Sequence, residues 1–287
     1  MKVVSIAAVA ALSIFGMATA LTGTAGAATR AADPGVVSAA VSPAAQAAAL
    51  AYWTPARMEA ATPLGSSSPA VTARSFGGLR SVGALFFTTG KKGHFCTASI
   101  INSGPRDVLL TAAHCVYQHG SFVENDAFVP DYHAGNRPYG TYAIESTFIT
   151  GGWLQQGNIN QDYAFLTVKG AVQNRVGAAL NLGIGKAASQ KMVAIGYNDS
   201  SNNPIWCATK SFQPRGLSSQ MEFQCDGFWI GTSGGPWIEG SSLNADGTVF
   251  GDIGGFEQGG NSPDFSYSPK FTALTQSLYD FAVARAA

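Results

Sequence analysis

The sequence predicts an all-β protein, a sandwich or a pair of barrels, closed by one C-terminal helix. Three observations point there. Glycine at 34 and proline at 13 of 287 residues, with 12% charged residues, suit a turn-rich β protein better than a helical bundle with charged outer faces. Short apolar runs alternate with clusters of turn residues along most of the chain. A clear helical period occurs once, near the end.

Taken in order, the chain opens on a leader. Lys2 supplies positive charge, residues 3–17 are almost wholly apolar, and Ala25-Gly26-Ala27 has the spacing of small residues at which a secretory leader is cut. That apolar run falls short of the ~20 residues that cross a bilayer, and no stop-transfer charges follow it. Residues 1–27 are therefore read as a signal peptide, and the protein as secreted, extracellular and free of the membrane once the leader is removed. Residues 28–74 are largely Ala, Pro, Ser and Thr, which cannot bury enough apolar surface alone to offset ordering entropy. They are read as a pro-segment or linker, interrupted by the island Tyr52-Trp53-Thr54-Pro55-Ala56-Arg57-Met58, which is expected to dock on the mature domain. Residues 75–287 suffice for one large core.

Within that domain 81–88 (SVGALFFT) is continuously apolar, as for a strand covered on both faces. Strands are expected at 96–101 and 108–112, parted by the turn Asn102-Ser103-Gly104-Pro105. Further strands are expected at 163–168, 192–197, 221–224, 236–239 and 248–253. Ser268-Pro269 is the expected start of the helix, with Leu274, Leu278 and Phe281 at helical spacing. Seventeen basic residues balance seventeen acidic ones without a charge run, so a nucleic-acid partner has no electrostatic footprint.

The strongest chemical signal is Gly231-Thr232-Ser233-Gly234-Gly235-Pro236. A serine nucleophile needs exposure, a base, and backbone N–H groups aimed at the developing oxyanion. Gly231 permits the backbone conformation that turns an N–H toward that point. The same letters fit the nucleophile elbow of α/β-hydrolases, but that fold places its histidine after the serine. His94, His114, His119 and His133 all precede Ser233, so that reading fails. His114 is the candidate base: an apolar strand delivers it, small residues surround it and Cys115 adjoins it. Asp162 opens the buried segment 162–168, lying 48 residues after His114 and 71 before Ser233. It is the candidate orienting acid, with Asp126 and Asp131 as runners-up. Asp107, which precedes His114, would give the subtilisin order, but a turn and strand follow Ser233 where that fold expects a helix.

Thr111-Ala112-Ala113-His114-Cys115, Asp162-Tyr163-Ala164 and Gly231-Thr232-Ser233-Gly234-Gly235-Pro236, in that order, resemble the chymotrypsin/trypsin superfamily of serine peptidases. The likeness is greatest to secreted actinobacterial trypsin-like peptidases, near the glutamyl endopeptidase branch, and covers about 76–283. The Tyr-Trp-Thr-Pro island also looks like the pro-region of that group. The resemblance implies two six-stranded antiparallel β-barrels with the active site between them, and a His114, Asp162, Ser233 triad. It implies an oxyanion hole from the N–H groups of Gly231 and Ser233. It also implies that Cys96 pairs with Cys115 and Cys207 with Cys225. Gly227 and the segment Ile253-Gly254-Gly255-Phe256 are expected to contact substrate, the latter as a backbone edge.

Two positions depart from animal trypsins. Thr232 stands where they carry the aspartate that pairs with a freed N-terminus, so that ion pair is not expected. Gly227 stands six positions before the serine, where trypsin carries its specificity aspartate. Neither C-x-x-C nor H-E-x-x-H spacing occurs, so no metal or other cofactor is expected. The expected protein is a monomeric endopeptidase acting on polypeptides, the alternative being an inactive homologue that serves as a binding module.

Overall fold

The computed structural model describes residues 35–63, 73–198 and 203–286. The leader expected over 1–27 lies outside the described residues.

The N-terminal segment contributes β1 (Val36–Ala40), α1 (Pro43–Tyr52), α2 (Pro55–Glu59) and β2 (Thr62–Pro63), and β3 (Arg74–Ser75) follows it. Ser42 and Thr54 cap the two helices, each with proline in the first turn, where its missing N–H costs nothing.

The first barrel is built from β4 (Val82–Thr89), β5 (Lys92–Ile100), β6 (Val108–Thr111), the small hairpin β7 (Tyr117–Gln118) and β8 (Ser121–Phe122), β9 (Glu124–Pro130), β10 (Tyr142–Thr150) and β11 (Ala164–Val168). Six of these pair antiparallel in the order β10-β11-β6-β5-β4-β9, and β9 returns to β10 at Ala127–Ala143 and Phe128–Tyr142. That pairing closes the barrel, and β1 covers the remaining edge of β10 from Ser146 to Thr150. Leu85, Phe87, Leu109 and Leu166 fill one core, while Phe86, Phe95, Leu110 and Phe165 belong to another shared with the second half of the molecule. Strands buried on both faces read as unbroken apolar runs, which is why 81–88 could be recognised. Two short helices, α3 (Gly151–Gln156) and α4 (Val172–Val176), follow β10 and β11.

The second half holds β12 (Asn181–Leu182), β13 (Lys191–Tyr197), β14 (Pro204–Phe212), β15 (Gln220–Gln224), β16 (Pro236–Glu239), β17 (Thr248–Asp252) and β18 (Phe265–Pro269). Six of them run antiparallel in the order β17-β16-β13-β14-β15-β18, with β12 added parallel to β17 and β3 pairing with β14. The ends of this sheet meet more loosely than in the first barrel, through Gly254 N–H to Tyr267 O (3.0 Å) and Asp252 N–H to Ser268 Oγ (2.9 Å).

The terminal helix α5 (Ala273–Val283) buries Leu278 fully, as its period predicts. Its start differs from the expected one. Ser268 and Pro269 end β18, with the Ser268 hydroxyl committed to Asp252 N and Pro269 O, and Thr272 caps the helix in a capping box with Thr275. Among the described residues no helix is long and apolar enough to cross a membrane.

Candidate active site

β6 carries the chain to Thr111, Ala112 stays extended, and residues 113–115 wind into a 3₁₀ turn that presents His114. The Cys96–Cys115 disulfide ties this turn back to β5. His114, Cys96 and Cys115 place ligand-type atoms within 4.8 Å of one another, but both sulfurs are spent in the disulfide and offer no thiolate to a metal.

Asp162 lies between a 3₁₀ turn at 159–161 and β11, and is fully buried. Three donors converge on its carboxylate. The His114 backbone N–H donates to Oδ1, and the His114 ring Nδ1–H and the Gly255 N–H both donate to Oδ2, each at 2.8 Å. A carboxylate facing Nδ1 fixes the tautomer that leaves the Nε2 lone pair free on the far side of the ring.

Ser233 sits on a turn between Trp229 and β16. Gly231 has φ +94°, and a methyl group there would come within 2.5 Å of the Phe95 ring, so both conformation and space require glycine. Gly234 likewise has φ +77° and lies against Thr111 and the Thr97 carbonyl. Neither the Gly231 nor the Ser233 N–H is bonded within the protein among the described residues. Thr232 turns inward, its hydroxyl donating to Trp229 O (2.6 Å).

Thr97, which sequence reasoning missed, joins the two barrels behind this turn. Its N–H donates to Ser233 O (2.8 Å) and its hydroxyl to Gly231 O (3.0 Å). The same hydroxyl accepts from Tyr197 N–H (2.9 Å), and the Thr97 carbonyl accepts from the Thr111 hydroxyl (2.8 Å). Thr97 is fully buried, so each of these bonds forms where water cannot replace it. Its only sequence signal is a position directly after Cys96.

His114 and Ser233 line one cavity of about 300 Å³, walled by Phe228, Trp229, Ile230 and Ile253. Among the described residues no hydrogen bond joins the Ser233 hydroxyl to the imidazole. A neighbouring cavity of about 670 Å³ runs past Trp153, Leu154 and Tyr117, and Glu257 borders both.

The residues expected to contact substrate are placed unevenly. Gly227 is buried behind the wall, bonded to Pro263 O and Asn198, while Ile253 lines the first cavity and Gly255 the second. An extended edge at 253–256 is not found. The N–H groups of Ile253, Gly254, Gly255 and Phe256 donate to Gly235 O, Tyr267 O, Asp162 Oδ2 and Gln220 Oε1, and Glu257 and Gln258 then turn left-handed. The cause is Gly255, whose φ of +82° bends the chain to reach Asp162. A substrate strand there must use carbonyls or displace one of these bonds.

Asp252, also missed, is buried with neither carboxyl oxygen hydrogen-bonded among the described residues. Burial first, and the charge of nearby Asp162 second, push its pKa well above the usual carboxylate range.

The family profile described as Trypsin matches residues 72–271. The chain belongs to the trypsin family. By family and fold this trypsin-family protein is a serine endopeptidase of the chymotrypsin-like type. It is similar in structure to the protease Anisep from Arthrobacter nicotinovorans, with 23% identity, a TM-score of 0.67, and 74% of this chain and 100% of that one covered. It is also similar to the thermostable serine protease AL20 from an extremophilic microorganism, with 26% identity, a TM-score of 0.66 and coverage of 72% and 98%. A Glu endopeptidase in complex with MPD shares the fold at 18% identity and a TM-score of 0.57, with coverage of 72% and 92%. No curated protein matches the chain.

Proposed function

We propose that this trypsin-family protein is a secreted endopeptidase that cleaves polypeptides through Ser233, His114 and Asp162 by way of an acyl-enzyme. The carrying observation is the 2.8 Å contact between His114 Nδ1 and the buried Asp162 carboxylate. Asp162 holds Nδ1, which leaves Nε2 as the acceptor on a ring that shares a cavity with Ser233. In the first step Ser233 Oγ bonds to the substrate carbonyl carbon while its proton passes to His114 Nε2. The oxyanion so formed is met by the free N–H groups of Gly231 and Ser233. The C–N bond then breaks, His114 gives its proton to the leaving amine, and water repeats the sequence in reverse to release the acid. The aromatic-walled cavity beside Ser233 supplies room for a substrate side chain, and the larger neighbour for residues further along.

Two disulfides, Cys96–Cys115 and Cys207–Cys225, support export to an oxidising compartment, in keeping with the leader motif at residues 1–27. The reading is tested by incubating the secreted protein with a mixed protein digest and sequencing the new termini. Wild-type enzyme should generate a consistent set of cuts, and Ser233→Ala and His114→Ala should generate none while keeping wild-type thermal midpoints. Folded wild-type protein that cuts nothing would instead support the inactive binding module.

A further inference from the structure

We infer that residues 35–63 are a lasting part of the folded enzyme, held in a purpose-shaped groove on the first barrel, and that they stay bound if the chain is cut after them. β1 forms a five-residue antiparallel ladder with β10, from Val36 opposite Thr150 to Ala40 opposite Ser146. Trp53 is 1% exposed, its ring 5.2 Å from that of Phe86 and its Nε1–H donating to Asn125 O at 2.5 Å. Gly93 makes room for it, since a methyl group there would stand 3.0 Å from the Trp53 ring. Met58 is fully buried in the same core as Phe86, Phe95 and Tyr132. β2 closes the wrap by running parallel to β5, Thr62 beside His94 and Pro63 beside Phe95.

The placement separates two roles. A segment that silences a protease by blockade fills its cleft, and none of 35–63 lines the cavity shared by His114 and Ser233. The segment reinforces the back of the site instead. β2 lies along β5, which carries Phe95 against Gly231 and Thr97 beneath Ser233. Removing it would uncover the β10 edge and the Phe86 face of the barrel, an exposed strand edge beside apolar surface. A ladder, a buried tryptophan and a buried methionine are the kind of anchors that hold a peptide without a covalent link. The groove therefore fits one kind of partner: an apolar strand-and-helix peptide carrying the Tyr52-Trp53-Thr54-Pro55 island, supplied by the chain itself.

The test starts from enzyme secreted by cells expressing the full chain. The active size-exclusion fraction is analysed by mass spectrometry under native and then denaturing conditions, which reads retention independently of how catalysis works. Residues 35–63 should be present in equimolar amount, either continuous with the peptidase domain or as a peptide released only by denaturant. An active fraction that contains residues 35–63 neither in its chain nor as a bound peptide overturns the inference. In parallel, Trp53→Ala in the full chain should lower the urea midpoint and slow fluorophosphonate labelling several-fold, with Trp53→Phe recovering most of both. A Trp53→Ala protein with wild-type midpoint and labelling rate also overturns it, and if that variant fails to fold, Trp53→Phe and the mass measurement still decide.

Discussion

In the proposed triad the Asp162 carboxylate is held toward His114 at both of its oxygens. Its three donors leave no rotational freedom, so Asp162→Asn would turn an N–H toward a ring nitrogen that is itself a donor. The expected result is the wrong tautomer and a turnover loss of about ten-thousand-fold, the value of the general serine-protease template, or ~5.5 kcal/mol of barrier. Steady-state kinetics on a peptide substrate should show the loss in kcat, with KM and thermal midpoint little changed. Asp126→Asn and Asp131→Asn should leave turnover near wild type, since neither residue borders the His114–Ser233 cavity. Thr97→Val makes a subtler test. It keeps the shape but leaves Gly231 O and Tyr197 N–H buried without their shared hydroxyl, at a stability cost of ~1–3 kcal/mol. Because the Gly231 carbonyl lies between the two proposed oxyanion donors, kcat should fall by about tenfold, less than the ~100-fold or more for losing such a donor outright. Thr97→Ser should restore most of it. A loss confined to KM would argue against this bracing role.

At the scale of elements, what the sequence made legible follows from burial. Strands enclosed on both faces, such as β4, β6, β11 and β13, are mostly apolar and fall within a residue or two of where they are expected. β14 escaped because its middle (Cys207–Lys210) is only partly buried and mixes small, polar and charged residues, and β10 because Glu145-Ser146-Thr147 interrupts its apolar residues. Of the N-terminal segment only the docking island 52–58 was legible; β1, α1 and α2 were not, because the helices bury few side chains of their own and Trp53 and Met58 make the contact. The three motifs that the structure brings together at the candidate site were legible, but Thr97 and Asp252 are placed there by pairings across sequence that no local pattern records. The two disulfides separate element-scale stability from chemistry. They close loops of 19 and 18 residues, each worth roughly 3 kcal/mol in the chain-entropy model. Replacing either pair with serine should lower the urea midpoint by a similar amount. Only the Cys96/Cys115 replacement should also cut kcat strongly, because it frees the turn that carries His114. Equal activity losses from both would contradict that division.

For the molecule as a whole, buried acids set the pH response. Burial raises Asp107 from 3.8 to about 6 and Asp126 from 3.8 to about 7. A carboxyl with a raised folded-state pKa holds its proton when the unfolded chain has already lost it. Stability therefore falls as pH climbs from about 4 through about 7, and the full cost stands above that. For Asp126 the cost at pH 8 is on the order of 4 kcal/mol. In a Ser233→Ala background that prevents self-digestion, Asp126→Asn should match its parent in urea midpoint near pH 4 and exceed it at pH 8. A difference that does not grow with pH would show that Asp126 is not buried as described. The central claim, that His114 and Asp162 make Ser233 a nucleophile, has its most direct test in mapping where a fluorophosphonate reacts with the folded, secreted protein. One adduct on Ser233 is expected, absent from His114→Ala and from denatured enzyme, whereas an adduct elsewhere, or folded protein that takes none, would contradict it.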